Sequence, residues 1–224
     1  MALSIGDLVD TIAALYAPPP NYFDLIQITG GIYWGIRREA GADLVVCRGS
    51  VDPQDWWRDL TSETSRVVPN YPSIGHVPYG FGEGLPDAYK AIRAASATGV
   101  QTYFLGHSLG AAHTAELAGM WAADQSAIAG IVLCGCPKPG MVALSTLLAS
   151  REVPITNLRN GKDPVPDVPA PLPPLLEWRD LAPFTVLDEA PDPNAPQSAF
   201  AQLVPDATWH NITLYQKGAH ALST

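Results

Sequence analysis

The chain has 224 residues, 47% hydrophobic and 16% charged, which suits one domain (1–224) around a sizeable core and excludes a disordered chain. A net charge of −9 argues against nucleic-acid partners, and no run of 18 apolar residues offers a membrane span. Cys47, Cys134 and Cys136 are an odd count without framework spacing, so neither a disulfide scaffold nor a metal site is expected. The N-terminus Met1–Asp7 lacks a basic region and carries an early acid, so it does not read as a signal peptide. The expected location is cytoplasmic, or extracellular with a leader removed.

Ile5, Leu8, Val9, Ile12 and Leu15 recur at helical spacing behind Ser4, a good N-cap, which predicts a helix over 4–17 stopped by Pro18-Pro19-Pro20. Residues 21–29 read as a second short helix. Ile32–Arg37 and Asp43–Cys47 read as strands joined by a hairpin turn at Glu39–Ala42. Residues 52–79, rich in Pro, Asp, Ser and Trp, read as irregular. A helix is predicted over Leu85–Thr98, closed by Gly99. Strand Val100–Leu105, a helix through Ala111–Ala118, strand Ile128–Cys134, helix 141–150 and strand Pro154–Leu158 then alternate. This alternation predicts an α/β protein with a parallel or mixed sheet covered on both faces. From 163 to 205 the chain is dense in proline and has no periodicity; loops that long are often functional.

Gly106-His107-Ser108-Leu109-Gly110, lying between a strand and a helix, fits the G-x-S-x-G nucleophile elbow. A serine hydroxyl needs an imidazole base, and the imidazole needs an orienting carboxylate. In the elbow architecture these follow in the order Ser, acid, His. His76 precedes the serine, His107 lies inside the elbow, and His113 shares the helix that follows. His210 and His220 remain. His220 lies close to the C-terminus, where chains fray, whereas His210 precedes the ordered-looking Asn211–Tyr215, so His210 is favoured. The acid belongs in a loop after a strand. Asp163 in Asn160-Gly161-Lys162-Asp163-Pro164-Val165-Pro166 fits, with Asp167 as runner-up. Oxyanion donors are expected from the Leu109 N–H and from Ser50, at the end of Cys47-Arg48-Gly49-Ser50.

Together these segments resemble the class 3 (fungal-type) lipase family of the α/β-hydrolase superfamily. Leu44–Ser50 followed by Trp56-Trp57-Arg58-Asp59-Leu60 is similar to its F-R-G-S/T strand and W-x-x-D-L continuation. Tyr79-Gly80-Phe81, Gly106–Ala112, Cys134-Gly135-Cys136-Pro137-Lys138, Asn160–Pro166, and His210 with Tyr215 resemble further motifs in the family's order, over about residues 30–215. The resemblance implies an α/β-hydrolase fold with a mostly parallel central sheet flanked by helices. It implies a triad of Ser108, Asp163 and His210 and an oxyanion hole of Ser50 and Leu109. It also implies a lid at Val51–Leu60, where Trp56 and Trp57 read either as contacts for an acyl chain or lipid interface or as core residues that anchor a helix. Pro78 and Arg179 stand where the family often has His, and the secreted members' leader and disulfides are missing.

The expected activity is therefore a serine carboxylester hydrolase of the lipase or esterase type, working through an acyl-enzyme. No cofactor or metal is expected. The partner is a small-molecule or lipid ester, with transient contact to a lipid interface. A phospholipase or acyltransferase on the same site is the alternative. A non-catalytic hydrolase-like binding protein is a further one, against which the complete Ser–Asp–His set and Ser50 argue.

Overall fold

The computed structural model describes residues 3–49, 64–170, 175–194, 204 and 206–222. Helix α1 (Ile5–Ala14) begins where expected: Ser4 Oγ accepts the Asp7 N–H at 3.2 Å and the Asp7 carboxylate accepts the Ser4 N–H at 2.9 Å, a capping box. Residues 21–29 do not form a helix. They contain β1 (Leu25–Thr29), paired antiparallel with β2 (Ile32–Glu39), Thr29 facing Ile32. The two-residue connection Gly30-Gly31 has φ of +59° and +82°. A tight hairpin turn of this hand needs positive φ at both positions, which glycine supplies. β2 pairs antiparallel with β3 (Ala42–Cys47) as expected.

The stretch read as irregular contains a separate antiparallel pair, β4 (Ser65–Val67) with β5 (His76–Pro78). Helix α2 spans Leu85–Ala95 and so ends before Thr98. Ser96 is already extended, and the Ala97 N–H donates to Asp43 Oδ2 at 2.7 Å. That tertiary bond captures the chain before the helix reaches Gly99. Then follow β6 (Gln101–His107), α3 (Leu109–Ala123), β7 (Ile128–Cys134), α4 (Val142–Ser150) and β8 (Ile155–Asn160), close to the expected bounds. The proline-dense stretch holds a strand that was not foreseen, β9 (Phe184–Leu187). Helix α5 (Ile212–Leu222) follows. It packs along α1, with His220 Nε2 3.0 Å from Asp10 Oδ2, so His220 is tied down and does not fray.

The main sheet has the order β1-β2-β3-β6-β7-β8-β9, parallel from β3 onward. Every residue of β3 is buried, and its side chains divide by parity. Val45 and Cys47 join the core beneath α2, α3 and α4; Leu44 and Val46 join the core beneath α1 and α5. Ile131 and Leu133 of β7 divide from Val132 and Cys134 in the same way. Continuous apolar strands between two helical layers are the signature of a doubly covered parallel sheet. The parallel register brings Cys47, His107, Cys134 and Asn160 to one edge, the carboxyl edge at which such sheets carry their sites.

Candidate active site

Ser108 leaves β6 with φ +63° and ψ −139°, a conformation that costs a non-glycine residue about 1–3 kcal/mol. Its amide donates to Cys134 O at 3.0 Å, and its carbonyl accepts the Ala111 N–H at 2.8 Å, so α3 starts at once. A Cβ on Gly110 would lie 2.4 Å from Cys47 O, so glycine is what lets α3 begin this close to the end of β3. Leu109 is the first residue of α3. First-turn amides have no intrahelical acceptor and sit at the positive end of the helix dipole, so the Leu109 N–H is a donor available to a developing oxyanion.

The turn after β8 buries Asp163 completely. Its amide donates to Asn160 O at 2.9 Å, and Pro164 leads into a 3₁₀ turn, Val165–Asp167. Asp163 Oδ1 accepts the Val165 N–H at 2.8 Å. Oδ2 lies 2.7 Å from His210 Nδ1 and also accepts the Tyr215 hydroxyl. Burial by itself would raise this carboxyl. The His210 charge and the hydrogen bonds from His210, Tyr215 and the Val165 amide outweigh it and hold Asp163 below the ordinary carboxylate range. An ionised carboxylate only accepts, so His210 Nδ1 carries the proton and Nε2 is the basic nitrogen.

His210 closes a 3₁₀ turn, Ala207–His210, at the threshold of α5. Asn211 Oδ1 accepts the Thr213 N–H at 3.0 Å and caps that helix. One turn further α5 delivers Tyr215, so the start of one helix presents both the imidazole and a third donor to its acid. Asn160 joins the pieces. Its side chain donates to Glu189 O at 3.0 Å and Trp209 O at 3.1 Å, and its amide donates to the Tyr215 hydroxyl at 3.2 Å. The end of β7 is the meeting point. Cys134 O takes the Ser108 amide, and a Cβ on Gly135 would stand 2.7 Å from both Asp163 Oδ2 and His210 Cε1.

The rejected candidates sit elsewhere. His220 pairs with Asp10, His76 lies 3.0 Å from Ser65 Oγ, and Asp167 forms an exposed two-pronged pair with Arg159 at 2.8 Å. Leu109 joins Phe81, Ala112, Val165, Val204 and Ala207 in an apolar cluster beside the elbow. Ser50, Trp56 and Trp57 lie outside the described residues. Sequence reasoning missed the bonds that Tyr215, Asn160 and Gly135 make or permit here. Tyr215 was visible only as the tyrosine after His210. Among the described residues no three His, Cys, Asp or Glu side chains cluster as metal ligands, and no helix is long and apolar enough to cross a membrane.

A strained serine between a parallel strand and a buried helix, with an Asp–His pair at the same sheet edge, defines an α/β-hydrolase. Residues 44–172 match the lipase (class 3) family, from β3 through the acid turn, and the chain belongs to that family of carboxylic ester hydrolases. Among solved structures, the triacylglyceride lipase of Rhizomucor miehei is similar at 18% identity, over 76% of this chain and 72% of that one, with a TM-score of 0.57. The lipase of Rhizopus microsporus var. chinensis is similar at 21% identity, over 74% and 68%, with a TM-score of 0.58. A triacylglycerol lipase whose catalytic centre is a serine protease triad is similar at 17% identity, over 74% and 72%, with a TM-score of 0.57. At these identities the likeness is one of fold. No sequence among curated proteins matches this chain.

Proposed function

We propose that the chain hydrolyses acyl esters through an acyl-enzyme on Ser108. His210 Nε2 takes the Ser108 proton as Oγ attacks the ester carbonyl carbon. Asp163 holds the Nδ1 proton and stabilises the imidazolium that forms. The oxyanion receives the Leu109 N–H and a second donor from Ser50. Collapse of the tetrahedral intermediate breaks the bond to the alcohol oxygen, which leaves with the proton from His210. Water then repeats the sequence on the acyl-serine and frees the acid. Trp56 and Trp57 are assigned to apolar contact with the acyl chain, in keeping with the apolar Phe81–Ala112–Val165 cluster beside the elbow, so a lipid ester is the favoured substrate. The observation that carries this reading is the 2.7 Å bond between His210 and the fully buried Asp163, at the same strand ends as the strained Ser108.

The test is a chain-length series of p-nitrophenyl esters with an active-site phosphonate. Ser108→Ala should lose roughly 10⁴-fold or more in kcat and remain folded. Mass spectrometry should place the phosphonate adduct on Ser108. Activity surviving in the alanine variant, or an adduct on a different serine, overturns the proposal. Trp56→Ala and Trp57→Ala should depress long-chain esters more than the acetate; equal loss on both removes the two tryptophans from the substrate site.

A further inference from the structure

His107 has no part in the mechanism above, yet its ring meets the base directly. The His107 and His210 rings stack with centroids 4.5 Å apart and planes 23° from parallel. His107 Nε2 lies 3.0 Å from the His210 carbonyl oxygen. A carbonyl only accepts, so Nε2 carries the proton and Nδ1 is bare. The Tyr16 hydroxyl, 2.6 Å from Nδ1, must therefore donate to it. With its one proton committed, the Tyr16 oxygen accepts the Gly49 N–H at 3.3 Å. A single assignment of protons thus satisfies the whole chain: Gly49 to Tyr16, Tyr16 to His107, and His107 to His210. Burial, and then the neighbouring His210, hold His107 well below the usual imidazole range, consistent with a neutral ring.

The two ends of this chain matter chemically. Gly49 precedes Ser50, the proposed oxyanion donor, and a Cβ on Gly49 would lie 2.6 Å from Ser108 Cβ. At the other end stands the base. When His210 takes the serine proton it becomes a cation lying on the face of a neutral aromatic ring, an arrangement that favours the charged form. That gain exists only as the reaction proceeds, so it belongs to kcat and not to KM.

We infer that His107, fixed by Tyr16, is a positioning residue that sets the plane of His210 and couples it to the strand end leading to the oxyanion donor. This rests on the reading of Ser108 and His210 as nucleophile and base. Tyr16→Phe, His107→Phe, His107→Gln and the double variant Tyr16→Phe/His107→Phe should be assayed on p-nitrophenyl butyrate. Each rate is divided by the serine titrated with phosphonate, so that misfolded protein drops out. His107→Phe keeps a ring on His210 but loses both hydrogen bonds; kcat per titrated site should fall on the order of 10- to 100-fold with KM within about twofold. Tyr16→Phe should fall by about 5- to 20-fold, and the double variant no further than His107→Phe, since both act through one network. His107→Gln, which restores a donor to the His210 carbonyl and an acceptor for Tyr16, should recover part of the loss. Single-variant kcat within twofold of the parent overturns the inference, as does a double variant whose losses multiply. If the His107 variants fail to fold, Tyr16→Phe removes one oxygen only and decides by itself. Failure of the underlying reading is distinct: there Ser108→Ala stays active or the phosphonate labels another serine.

Discussion

Two sets of polar side chains are buried around α3, and they are built in opposite ways. Asp163 and His210, at the carboxyl edge of the sheet, are 0% and 8% exposed; Glu116 and His113, on the helix itself, are 0% and 7% exposed. Asp163 receives three donors, one on Oδ1 and two on Oδ2. Among the described residues, neither Glu116 carboxylate oxygen has a hydrogen-bond partner, and neither does His113 Nδ1. The consequences diverge accordingly. Asp163 is held below the ordinary carboxylate range in spite of its burial, whereas burial alone pushes Glu116 far above it. At equal depth it is converging donors that decide whether a carboxyl is charged. A perturbed carboxyl in the interior is therefore a weak sign of catalysis, and the ionised one beside an imidazole is the strong sign.

The largest effect that tests this contrast is Asp163→Asn. The amide can present its NH₂ to His210 and so favour the wrong tautomer, which removes the lone pair that Nε2 needs. A loss on the order of 10⁴-fold in kcat is expected in steady-state assays, with the fold intact by circular dichroism. A loss below about tenfold would mean that Asp163 does not orient the base. Tyr215→Phe removes one donor of three and should cost about 3- to 30-fold in kcat and about 1–2 kcal/mol of stability. The sign with pH follows from the lowered Asp163 pKa. Its stabilising contribution is present above the unfolded value and is lost as pH falls through the folded one. Without Tyr215 the depression shrinks, so the midpoint of acid unfolding should move to higher pH. A midpoint that stays in place would show that the Tyr215 hydroxyl does not tune the acid.

Local pattern explains which parts of this arrangement were legible in the sequence. Strands β3, β6 and β7 are buried on both faces, and their continuous apolar runs announce them. Ser108, Asp163 and His210 could be singled out as candidates because a sharp elbow, a proline-stiffened turn and chain order each leave a local mark. What was missed depends on distant residues. β1 is a short edge strand defined by its pairing with β2, although Gly30-Gly31 was a turn signal within reach. The end of α2 is set by Asp43, 54 residues from Ala97. Tyr16 finds His107 across 91 residues, and no spacing rule reports that. β9 lies among prolines that break any period, and α5 was visible only as an ordered-looking start.

The smallest effects concern Glu116 and His113, and they run with opposite pH dependence. Glu116 and His113 lie one turn apart on α3, a helix buried along nearly its whole length. Replacing a buried polar group that lacks partners by an apolar one of similar size removes a desolvation penalty. Glu116→Leu and His113→Leu should each raise stability by about 1–3 kcal/mol, or roughly 2–10 °C in Tm, with esterase kcat within twofold of the parent. The pH dependence separates them. Glu116 has a folded pKa raised above 4.5, so the folded state keeps a proton that the unfolded chain releases, and stability falls as pH rises from about that value. The gain from Glu116→Leu should therefore be larger at pH 8 than at pH 4. His113 is pushed from 6.5 down to about 4, so the unfolded chain binds the extra proton and stability is lost as pH falls through that window. The gain from His113→Leu should be larger at pH 4 than at pH 8. Chemical denaturation of the parent and both variants at the two pH values reads all four numbers. If Glu116→Leu instead loses stability or activity, Glu116 has a partner that matters, and the contrast with Asp163 fails.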